Sequence, residues 1–128
     1  METSINNKCK TFTSLKQSKK LAEILSPESA DMYYSHEFVN SAGDYYKLNI
    51  ALEGYFDDKE LLGSDIPCWS LAALLDVLPK VVNNETLFIE TSPTLWHIGY
   101  RNIYTARADN PVDACYEFIL KLHELKML

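Results

Sequence analysis

A chain of 128 residues with 47% hydrophobic, 12% aromatic and 23% charged residues has the length of one domain and enough apolar surface to fold without disulfide or metal staples. That composition excludes disorder, collagen-like repeats and a disulfide scaffold. Twelve Lys+Arg against 18 Asp+Glu give a net charge of −6, which argues against a general phosphate-binding surface; five of the lysines fall in residues 1–20 beside one glutamate, so the remainder is strongly acidic.

In chain order, residues 1–12 read as a flexible leader. Ser14-Leu15-Lys16-Gln17 has the spacing of a capping box and predicts an amphipathic helix over 14–25, ended by Ser26-Pro27. Asp31 to Tyr34 reads as a short strand, followed by a loop or hairpin connection over 35–44. Tyr46, Leu48, Ile50 and Leu52 alternate as in a strand, although Leu48, Ala51, Leu52 and Tyr55 also suit a helix; the strand is preferred. Residues 57–65 form an acidic solvent loop, and 35–65 as a whole reads as a variable, loop-rich insertion.

Ile66 to Ser70 then opens a helix, with Ser70 in place as its cap, in which Leu71, Leu74, Leu75 and Leu78 share one face; Pro79 ends the run or at most kinks it before Val81-Val82. After an Asn83-Asn84 turn, 86–90 and 95–100 make a hairpin that 102–107 extends to a meander. Asn110-Pro111 starts a last helix over 111–125, burying Val112, Cys115 or Tyr116, Ile119 and Leu122. The expected fold is a single α+β domain over 1–128, with about three helices packed on one face of a small, mainly antiparallel sheet.

Few residues invite chemistry. His36-Glu37 and His123-Glu124 begin like a zinc-protease motif, but the fifth positions are Asn40 and Met127. The glycines form no phosphate loop, and Asp57, Asp58 and Glu60 lack the spacing of a calcium loop. No metal, cofactor or catalytic residue is therefore assigned. Cys68 lies at a predicted helix N-terminus, where the dipole lowers a thiol pKa, and His97 is the attractive base for a nucleophilic role; the preferred reading is a buried thiol packing as a small hydrophobe. Cys9, Cys68 and Cys115 make an odd set with no CxxC, which fits a reducing compartment. Residues 1–10 lack the apolar run of a signal peptide and 71–75 is too short to span a membrane, so the expected location is cytoplasmic. The surplus is aromatic, and Tyr33, Tyr34, Trp69, Trp96 and His97 are the candidate interaction surface.

Gln17-Ser18-Lys19-Lys20-Leu21, Ser29-Ala30-Asp31-Met32-Tyr33, Trp69-Ser70-Leu71-Ala72-Ala73-Leu74-Leu75 with Leu78-Pro79, and Ala108-Asp109-Asn110-Pro111-Val112-Asp113-Ala114-Cys115 together resemble a family of small uncharacterised proteins carried by phages, prophages and mobile elements of gut bacteria. The resemblance covers nearly the whole chain outside 35–65. It implies a cytoplasmic protein of such an origin and supplies no activity or site residue. The leading expectation is a non-enzymatic protein that binds a host or phage protein, with direct nucleic-acid binding and membrane association not expected. Two rivals stay open: a small enzyme or ligand binder with a pocket near Cys68 and His97, and an acidic nucleic-acid mimic presenting Asp57, Asp58, Glu60 and Asp65. Edge strands and exposed aromatics are also compatible with a homodimer.

Overall fold

The computed structural model describes residues 10–39, 43–51, 55 and 65–128. They fall into two compact units, one within Phe12–Val77 and one over Leu78–Leu128 together with Lys10 and Thr11. Among the described residues the chain is α+β, with three α-helices and two antiparallel sheets of three and four strands, where the sequence led to one sheet.

In the 12–77 unit, α1 (Leu15–Leu21) begins with the expected capping box: Ser14 Oγ accepts from the Gln17 N–H at 3.1 Å and Gln17 Oε1 accepts from the Ser14 N–H at 3.0 Å. The helix stops four residues short of the expected end. The Glu23 and Ile24 amides bond back to Lys20 and Leu21, three residues earlier, so the last turn tightens ahead of Ser26-Pro27. A single 3-10 turn, Pro27–Ser29, leads to β1 (Met32–Val39), which pairs antiparallel with β2 (Gly43–Ile50). Residues 35–39 and 43–44, expected in a loop or hairpin connection, are strand residues of a β1–β2 pair, because each finds a partner in the register that sets Tyr34 opposite Leu48 and His36 opposite Tyr46. The strand reading of 45–50 holds over the helical one. The acidic segment 57–64 lies outside the described residues, as does Cys9.

Ile66-Pro67-Cys68 is the largest departure. Instead of opening a helix it forms β3 (Ile66–Cys68), which pairs with the other side of β1 and places Cys68 opposite Met32. Pro67 lacks an N–H and is tolerated because β3 is an edge of the sheet. The helix α2 (Leu71–Val77) starts at the expected cap, Ser70, whose hydroxyl accepts from the Ala73 N–H at 3.2 Å. The Asp31 carboxylate fixes that cap by accepting from both the Ser70 N–H and its hydroxyl. Leu21, Cys68, Trp69 and Leu74 form the core of this unit.

The 78–128 unit follows the sequence more closely. Its sheet runs β4 (Val81–Val82), β5 (Glu85–Thr91), β6 (Trp96–Tyr100) and β7 (Tyr104–Ala108) in spatial order. Asn83 and Asn84, with φ 49° and 67°, make the two-residue mirror-image turn that matches strand twist, so Val81-Val82 becomes a strand and not a helix tail. The last helix, α3 (Pro111–Glu124), starts as expected, with Asn110 Oδ1 accepting from the Asp113 N–H at 2.8 Å. It packs against β6 and β7. Val112, Cys115, Ile119 and Leu122 are buried as the periodicity requires, and Ala114 and Phe118 join them. Tyr100 and Phe118 meet at 5.5 Å between ring centroids, which identifies the helix-facing side of β6 as that of Trp96, Ile98 and Tyr100.

α3 ends in a Schellman arrangement: the Met127 N–H bonds Leu122 O and the Lys126 N–H bonds His123 O, with Lys126 at φ 61°. A side chain at that left-handed position is strained, so Lys126→Gly is expected to stabilise the chain by about 0.5–1 kcal/mol in urea unfolding, and a destabilised variant would contradict this cap.

Candidate interaction surface

Trp69 is not available to a partner. It is 0% exposed, its Nε1–H donates to Ser29 Oγ at 2.9 Å, and its backbone N–H and C=O are both bonded to Thr13. Tyr34 is half-buried and points inward, its hydroxyl donating to the Thr13 carbonyl at 2.9 Å. Burial, followed by the neighbouring Cys68, pushes its phenol up to about 12. Thr13 is thus a buried polar node, and its hydroxyl also meets Ser18 Oγ at 2.8 Å. Tyr33 stacks on Tyr55 at 4.3 Å and 12° between planes. Trp96 and His97 are adjacent on β6 and so project to opposite faces, Trp96 toward the helix side. The five candidates do not form one patch: three lie in the 12–77 unit, and two lie on opposite faces of one strand in the 78–128 unit.

Cys68 is likewise inward. It is 0% exposed, and its thiol contacts the Thr13 carbonyl at 3.4 Å. Because it sits in an edge strand two residues before the cap of α2, the helix dipole does not act on it as the sequence implied; burial pushes its pKa up, against the hydrogen bonds of Thr13, Ser18 and Tyr34. Cys115 is also buried, and burial raises its thiol from 9.0 to about 12. A thiol probe at neutral pH is therefore expected to label Cys68 and Cys115 only on unfolding, as read by peptide mapping; fast native labelling of Cys68 would contradict this burial. Each thiol keeps its proton to higher pH when folded than when unfolded, so the stability it contributes is complete below about pH 9 and declines as the pH rises above that, for Cys115 toward 12. The measurement is the urea midpoint across that alkaline range.

The side of the four-stranded sheet away from α3 holds a grouping that the candidate list missed. Cross-strand register places Glu90 opposite His97, and His97 opposite Arg107, while Phe88 stands opposite Gly99. Alternation puts all of these on one face. Arg101, in the turn after β6, lays its guanidinium 4.4 Å from the Phe88 ring centroid and reaches Glu90 Oε1 at 3.0 Å. Arg107 is exposed and enters no ion pair among the described residues, while His97 is half-buried and Val81 is 56% exposed at the rim. The chain's only two arginines thus share one face. Their scarcity was visible in the sequence, but their convergence needed the register.

Other aromatics are lidded by cations in the same way. Lys19 lies 5.5 Å from the Tyr46 ring centroid and Lys121 lies 5.8 Å from that of Tyr104. Part of the aromatic surplus is therefore occupied within the chain.

Among the described residues no group of three or more His, Cys, Asp or Glu side chains is placed to hold a metal ion, and no helix is long and apolar enough to cross a membrane. Of the proposed acidic face only Asp65 is described, and its carboxylate accepts from the Tyr55 hydroxyl. Compared with known proteins, the chain matches no family model, no curated protein and no solved structure.

Proposed function

We propose that this chain is a non-enzymatic interaction protein of phage or mobile-element origin, and that it binds a host or phage protein through the face of the four-stranded sheet opposite α3. The observation that carries the reading is the convergence there of Phe88, His97, Arg101 and Arg107, with exposed Val81 beside them. Aromatic and arginine side chains are the types that anchor protein interfaces, and the helix-covered side of the same sheet supplies the rigid support. The nucleophile reading loses its support, because the Cys68 thiol is buried against Thr13.

The test is a tagged pull-down from prophage-induced host cells at moderate salt, with chemical cross-linking and peptide mapping. A stoichiometric protein whose cross-links fall on β5, β6 and β7 is the expected result. Recovery of the chain alone, or with only a small molecule, would overturn the proposal.

A further inference from the structure

We infer that the occupant of this sheet face is an acidic segment of a protein, held by carboxylate contacts to Arg107. The inference rests on the protein-binding reading and gives the partner's chemistry. Of the two arginines, Arg101 is already engaged, its guanidinium lying over Phe88 and bonded to Glu90. That contact neutralises the one acid in this group, so Glu90 does not repel an incoming carboxylate. Arg107 remains, exposed on the edge strand β7 and without an ion pair among the described residues. A guanidinium presents a planar fork that matches a carboxylate with two parallel hydrogen bonds, which a lysine does not offer.

His97 stands directly opposite Arg107 in the register. Side chains so paired have Cβ atoms about 4.5–5.5 Å apart, close enough for the imidazole to give the same or an adjacent acidic side chain a second donor. The engaged Arg101 with Phe88 forms the flat floor beside this pair. The complementarity is local: the chain as a whole carries −6 and repels a polyanion, so a nucleic-acid backbone with a charge at every phosphate is disfavoured where one or two carboxylates fit.

The experiment is fluorescence anisotropy on the full chain at low salt, with three labelled probes: a short Glu-Ala repeat peptide, its Lys-Ala counterpart and an oligothymidylate. The Glu-Ala peptide is expected to bind, and Arg107→Ala to weaken it about tenfold, the size of a lost charge-assisted hydrogen-bond pair. Arg107→Lys is expected to recover only part of that loss. Lys16→Ala, which removes an exposed cation from α1, is expected to change it by less than about twofold. Both positions are exposed, and unchanged unfolding midpoints check that the variants fold. The inference is overturned by absent Glu-Ala binding, by equal sensitivity to Lys16→Ala, by tighter binding of the Lys-Ala peptide, or by oligothymidylate binding as tightly with the same Arg107 dependence. A cellular partner captured equally well by wild type and Arg107→Glu overturns the inference while leaving the protein-binding reading in place; capture of no partner removes that reading itself.

Discussion

Trp69→Ala is expected to destabilise the chain by about 3–5 kcal/mol, a large share of the roughly 5–15 kcal/mol a domain possesses. The indole is 0% exposed in the core of its unit, and its removal leaves a cavity there beside the Thr13 node. It also withdraws the donor that Ser29 Oγ accepts from. Trp69→Phe separates the two effects, since it retains most of the volume and loses the hydrogen bond; its cost is expected at about 1–2 kcal/mol. Urea unfolding followed by circular dichroism measures both. In a Trp96→Phe background the remaining fluorescence reports on Trp69 alone, and its native emission is expected to be that of a buried indole. A loss below about 1 kcal/mol for Trp69→Ala, or a solvent-exposed emission, would return Trp69 to the surface where the sequence placed it.

Gly99→Val is expected to cost at least about 3 kcal/mol, because the two nearest atoms the added Cβ would meet are backbone, which cannot swing aside as a side chain does. A Cβ at Gly99 would lie 2.2 Å from the Tyr104 carbonyl oxygen and 2.6 Å from Thr105 Cα, so β6 and β7 must separate to admit it. Separation disturbs the register that sets His97 opposite Arg107. The variant is therefore expected to lose binding of an acidic probe together with stability, whereas Arg107→Ala loses binding with its unfolding midpoint unchanged. A Gly99→Val protein as stable as wild type would refute the close approach of the two strands.

The terminal helix shows how much of the fold is legible from local chemistry. Asn110, Pro111 and Asp113 specify its start within three residues, and the spacing of Val112, Cys115, Ile119 and Leu122 specifies its buried stripe. The hairpins over 81–108 are equally local, each closed by a short turn, with Asn83, Asn84 and Asn102 in the left-handed region that asparagine tolerates. β3 is different in kind. Ile66-Pro67-Cys68 has no alternation long enough to announce a strand, and its partner is β1, more than thirty residues earlier. Once that pairing forms, Trp69 and Cys68 turn inward onto Thr13: Trp69 leaves the candidate surface for the core, and Cys68 takes the buried place its preferred reading gave it.

The candidate surface divides along the same line. His97 was legible as a strand residue between Trp96 and Ile98, but Phe88, Arg101 and Arg107 were not, because neighbours on a sheet face come from different strands and only the register brings them together. By itself the sequence determined the class of the fold, the caps of α1 and α3, the turns of the 85–108 meander and the periodic core of the last helix, all consequences of contacts a few residues apart. Only the tertiary structure decided that there are two sheets, that Trp69 is interior, and that both arginines share one face. Those outcomes follow from pairings across long stretches of chain, which local propensity does not encode.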